Sequence, residues 1–127
     1  MKNNDQVQLI IPTSSRYEDV AQTTIAHLGL QSGFSLKEIE NLRAVMKATT
    51  DMFFSIREWE KPLHINFLFS HQKMQVTVTT QTTKSVADIA DTVAGFKEFV
   101  SPRVKELVVS SEKSWVVFEV QETDQTN

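Results

Sequence analysis

Lys47 and Asp51 stand four residues apart in GFSLKEIENLRAVMKATTDMFFS, residues 33–55, a stretch that reads as a helix. At that spacing a cation and a carboxylate share one helix face. They can close a surface ion pair, in the weaker order with lysine first, contributing on the order of 0–1 kcal/mol. Alternatively they belong to a binding site, in which Asp51 offers the carboxylate oxygen that magnesium prefers. The scarcity of glycines that could admit a phosphate argues against that ion: only Gly95 follows Gly33. His27, His64 and His71 are not clustered, so metal binding would need long-range assembly. A Ser-His-Asp triad has no nucleophile elbow to support it. The absence of cysteine removes disulfides, thiolate metal sites and cysteine nucleophiles together, and suits a reducing cytoplasm.

With 127 residues, 40% hydrophobic and 23% charged, the chain is expected to form one globular domain over 1–127 with a real core. A net charge of −3 without a basic stripe disfavours direct nucleic-acid binding. The opening MKNNDQVQLII lacks a long apolar core before a small-residue cleavage site, so it is not expected to be a signal peptide. No run approaches the ~20 apolar residues needed to span a membrane.

The elements that would position Lys47 and Asp51 follow from local signals. Ser35 and Glu38 have capping-box spacing, with Phe34 and Ile39 placed as a hydrophobic staple. Ile39, Leu42, Met46, Thr49, Phe53 and Ile56 recur at steps of three and four, which predicts a helix to about Trp59 with one buried stripe. A strand is expected over 7–11, stopped by Pro12. Ser15 with Glu18 suggests a second capping box, opening a helix with Tyr17, Val20, Ala21, Thr24, Ile25 and Leu28 on its inner face. Gly29 and Gly33 bracket its end. Leu63, Ile65, Phe67 and Phe69 alternate with polar neighbours, and Met74, Val76 and Val78 return after a turn at 71–73. Ser85 with Asp88 starts a third helix, which stops at Pro102. The segments 104–110 and 115–122 read as a last hairpin. The sum is an α+β two-layer sandwich, a mostly antiparallel mixed sheet covered by three helices.

The string G-F-S-x-x-x-I-E-x-L-R-A-V resembles the N-box helix of the anti-sigma-factor serine kinases, which have the histidine-kinase-like ATPase fold. The resemblance spans nearly the whole chain in element order. Its sequence evidence lies in 12–17 and 33–50, with a weaker echo in 96–109. In that family a glutamate of the N-box activates the attacking group and an asparagine holds magnesium. Here Lys47 and Asp51 take those places. A later D-x-G-x-G motif binds adenine and lets the backbone turn close to the nucleotide. Thr80, Thr82 and Lys84 stand at those positions.

The resemblance therefore implies a degenerate, catalytically inactive member without a cofactor or metal. It would be a cytoplasmic regulatory protein that sequesters a sigma factor or an anti-anti-sigma-like domain. It also implies a homodimer through the first strand and helix, with Arg16, Tyr17, Glu18 and Asp19 at the partner surface. The alternative is an ATP-binding serine kinase with unorthodox residues, Asp88 or Asp91 reaching adenine. A third reading is a structural or small-ligand-binding domain that shares only the layout. In the family's geometry Phe54 would fill the vacated pocket, although packing against the third helix explains it as well. Trp59 and Trp115 are candidate interface anchors or half-buried structural residues.

Overall fold

The computed structural model describes residues 5–55, 61–70, 72–112 and 114–121. Strand β1 (Asp5–Ile11) leads through a 3-10 turn (Ser15–Tyr17) into α1 (Glu18–Gln31) and α2 (Leu36–Phe54). The hairpin β2 (Leu63–Ser70) and β3 (Lys73–Thr80) follows. A 3-10 turn (Ala87–Ile89) precedes α3 (Ala90–Val100), another (Ser101–Arg103) follows it, and β4 (Glu106–Ser110) and β5 (Trp115–Gln121) close the sheet. The strand order is β1-β2-β3-β5-β4. Every neighbouring pair is antiparallel, so the mixed sheet expected from the sequence is antiparallel throughout the described residues.

Alternation sets the faces. Val7, Phe67, Val76, Phe118 and Leu107 lie in register as one apolar row across all five strands. The next residues along, such as His64 and Gln75, are exposed. The helices add Ala21, Ile25, Leu42, Val45, Met46, Phe53, Val93, Phe96 and Val100 to the same core cluster. Three helices on one sheet face give the two-layer α+β sandwich.

The α2 start forms as its sequence requires. Ser35 Oγ accepts from Glu38 N–H at 3.1 Å, and Glu38 Oε1 accepts from Ser35 N–H at 2.7 Å. Ile39, Leu42, Met46, Thr49 and Phe53 are buried on one stripe. The helix ends at Phe54, with Ser55 as its C-cap, earlier than the expected Trp59. Ile56 and Trp59 lie outside the described residues.

At the end of α1, Gly33 N–H bonds the Leu30 carbonyl at 3.2 Å and Phe34 N–H bonds the Gly29 carbonyl at 3.0 Å. This is a Schellman closure, and Gly33 supplies the positive φ (93°) it needs. Gly29 has a different task. It is buried inside α1, and a Cβ there would come within 2.8 Å of Leu42 Cδ1. The missing side chain lets α1 and α2 approach.

Two expectations need correction. The Ser15–Glu18 capping box does not form. Tyr17 N–H bonds Ser14 O at 2.9 Å in a 3-10 turn, and the Glu18 side chain points elsewhere. Val20 is not on the buried face of α1: it is 41% exposed, whereas Ala21 and Ile25 are fully buried.

Candidate functional site

The polar face of α2 meets the start of α1 in a small charged cluster. Lys47 Nζ lies 3.3 Å from Glu18 Oε2 and 3.4 Å from Asp51 Oδ2. Thr50 Oγ1 donates toward the same Glu18 oxygen at 3.4 Å, and also to the Lys47 carbonyl at 3.1 Å. The Lys47 and Asp51 side chains are about half exposed, at 56% and 53%, whereas that of Glu18 is 18% exposed. The ion pair expected from the i,i+4 spacing therefore exists, and it extends to a third residue 29 positions upstream.

Two carboxylates share one ammonium. The Glu18 carboxyl is held above its ordinary value, first by the neighbouring Asp51 carboxylate, with which it shares a hydrogen bond when one of the two is protonated, and then by burial. Lys47 opposes that shift. In turn the Lys47 ammonium is raised, first by its hydrogen bond to Glu18 and then by the Asp51 charge. A lysine fixed between two acids is a poor general base, because it stays protonated. The cluster as built ties the start of α1 to the polar face of α2.

The positions aligned with the adenine motif are occupied by a cross-strand contact at the end of β3 and a local turn after it. Thr80 Oγ1 donates to the Pro62 carbonyl at 3.1 Å, and Thr82 Oγ1 accepts from Lys84 N–H at 3.1 Å. Asp88 is engaged at the start of the third helical segment, where it accepts from Ser85 N–H at 2.7 Å. Asp91 is exposed in the first turn of α3. Phe54 is half-buried and packs against the core. The main cavities among the described residues lie elsewhere, and none is bordered by Lys47, Asp51 or Phe54.

Of the residues expected at a partner surface, Arg16 and Asp19 are exposed and Tyr17 is half-buried beneath the Arg16 guanidinium, 5.7 Å from its ring centroid. Glu18 is turned inward to Lys47. Trp115 is a core residue, 4% exposed, and not an interface anchor. Its φ of 29° and the register shift opposite Thr77 and Val78 turn both Trp115 and Val116 inward. His27 and His64 are exposed, and His71 lies outside the described residues. Among the described residues there is no group of three or more His, Cys, Asp or Glu side chains that could hold a metal. No helix among them is long and apolar enough to cross a membrane.

Sequence reasoning missed Glu18 as the partner of Lys47 and Thr50 as the link between them. The contact joins separate helices, so no local spacing signals it. Compared with known proteins, the chain matches no family model and has no significant match among curated proteins.

Proposed function

We propose that this protein is a non-catalytic regulatory binding protein that sequesters a protein partner, a sigma factor or an anti-anti-sigma-like domain. One observation carries the reading: Lys47, where the resembling kinases have their activating glutamate, is tied to Glu18 and Asp51. An ammonium stands where the base is expected, and it engages Asp51, the carboxylate at the magnesium position of the resembling kinases.

The surface offered to a partner is the opening of α1, with Arg16 and Asp19 exposed, together with strand β1 at the edge of the sheet. Val20, beside Asp19 on α1, is an exposed apolar residue, and Ile10 is exposed on the sheet face turned away from the core. An uncovered edge strand favours pairing with another chain, either a partner or a second copy.

Calorimetry with magnesium and ATP tests the catalytic half of this reading. No heat of binding is expected, and magnesium-dependent binding at micromolar affinity would overturn it. Size-exclusion chromatography with purified sigma factors and anti-anti-sigma domains tests the other half. A stoichiometric complex that charge reversal at Arg16 or Asp19 weakens is the expected result.

A further inference from the structure

We propose that the cleft between the start of α2 and the β4–β5 end of the sheet binds a small organic carboxylate with a compact apolar body. This site lies at the other end of α2 from Lys47 and Asp51. It stands independently of partner sequestration.

The cleft has a volume of about 450 Å³, within the ~300–1,000 Å³ typical of small-molecule sites. Its inner wall is apolar: Phe34, Leu42 and Val120 are core residues, and Val104 packs against them. A ligand body placed there would cover the margin of the core.

Two cations line the mouth: Arg103 is held by neutral groups, and Lys105 by a neutral amide and a distant carboxylate. The Arg103 guanidinium stacks 3.8 Å over the Phe99 ring, and its Nη1 donates to the Phe99 carbonyl at 2.7 Å. Arg103 makes no ion pair among the described residues. The guanidinium has five N–H donors in a planar fork, so most of its donor capacity is uncommitted to that carbonyl. Lys105 Nζ donates to Gln121 Oε1 at 2.7 Å and reaches the Glu119 carboxylate only at 4.0 Å. Asn41 spends one amide N–H on the Arg103 carbonyl at 2.8 Å, which anchors the backbone that carries the arginine.

Charge then selects the ligand. Among the described residues Glu38 is the one carboxylate lining the cleft, and it is engaged with Ser35 N–H in the helix cap. With Lys105 reaching Glu119, Arg103 is the lining cation left without an ion pair among the described residues. A neutral apolar molecule would leave Arg103 without a counter-charge, and a cationic one would be repelled by it. A carboxylate can take the arginine fork in a bidentate hydrogen bond, the strong form of that contact. The whole chain carries −3, so this patch runs against the overall sign.

Methyl and amide NMR of the full chain, titrated with phenylacetate and with its neutral analogue phenylacetamide, tests the proposal. Phenylacetate should shift the Leu42, Val104 and Val120 methyls and the Asn41 side-chain amide saturably, with Kd roughly millimolar or tighter. Phenylacetamide should bind about tenfold more weakly, a difference of about 1.4 kcal/mol. Arg103→Gln should remove that preference while leaving the spectrum of a folded protein, and Lys105→Gln should reduce it. Equal affinity for acid and amide, no saturable shifts at the cleft, the same shifts produced by inorganic phosphate alone, or an acid preference that survives Arg103→Gln would each overturn it.

Discussion

The Phe53 ring meets Trp115 edge to face, with centroids 5.8 Å apart and planes inclined at 73°. This contact ties the last turn of α2 to the first residue of β5. Both rings are buried. Trp115→Ala should cost about 3–5 kcal/mol, as for other large-to-small core changes. A double-mutant cycle with Phe53→Leu should return a coupling of roughly 0.5–1.5 kcal/mol for the ring pair. Urea denaturation of the four proteins measures both quantities.

Two helical glycines should respond to alanine with opposite signs. Gly95 lies inside α3, and a Cβ there meets nothing within 4 Å. Gly95→Ala should stabilise by about 0.5–1 kcal/mol through helix propensity. Gly29→Ala gains the same propensity but drives a methyl to within 2.8 Å of a buried leucine terminus. Overpacking costs about 1–3 kcal/mol, so a net loss of about 1 kcal/mol is expected. Thermal melts of the two variants decide it.

The charge cluster gives a pH signature. Glu18 is raised above its ordinary value of 4.5 in the folded chain. Its contribution is therefore fully present below that value and is lost as pH rises through the folded-state pKa. Glu18→Gln should flatten the stability profile in that window. Lys47 is raised above 10.5, so its contribution holds through neutral pH and fails only in alkali. Lys47→Ala should lower the melting temperature at pH values where Glu18 and Asp51 are both ionised, and the deficit should shrink on acidification. Melting curves across the acid and neutral range read both effects.

Charge reversal should separate binding from folding at the start of α1. Arg16→Glu and Asp19→Lys alter exposed side chains and should weaken partner association with stability changed by less than ~0.5 kcal/mol. Glu18→Lys places a second ammonium against Lys47 and should destabilise the fold itself. Circular dichroism melts run alongside binding titrations distinguish the two classes.

Restoring Lys47→Glu and Asp51→Asn together should yield no ATP turnover. The segment that should embrace the nucleotide is still built from Thr80 at the end of β3 and from Thr82 and Lys84 in the turn after it. Measurable hydrolysis in a coupled phosphate assay would show that those positions do not matter.

What the sequence disclosed is what local physics dictates. The Ser35–Glu38 cap, the α2 stripe, the Phe67 strand and the stop at Pro102 each depend on residues within a few positions of one another. The Ser15–Glu18 signal had the same form as the Ser35 cap and failed, because a carboxylate near a distant ammonium has a better partner than its own helix start. From sequence alone Trp115 was either an interface anchor or a half-buried structural residue, because the register shift that turns it inward depends on β3. The ion pair between Lys47 and Asp51 was legible from spacing, but its extension to Glu18 was not. The cleft beside Arg103 was invisible for the same reason, since its walls come from α2, the segment after α3, and β5.

The pairing of β3 with β5 has a consequence for how the protein is made. β3 is a central strand in the finished sheet, yet its second neighbour is the last element described. On the ribosome, β1, β2, α1 and α2 can assemble around β3 long before β5 emerges. Until then β3 is a temporary edge carrying Met74, Val76 and Val78, an invitation to the wrong strand. Nascent chains stalled before Trp115 should therefore depend on chaperones in a way that released chains do not. Late synthesis, more than the folded state, is where this sequence is most exposed to aggregation.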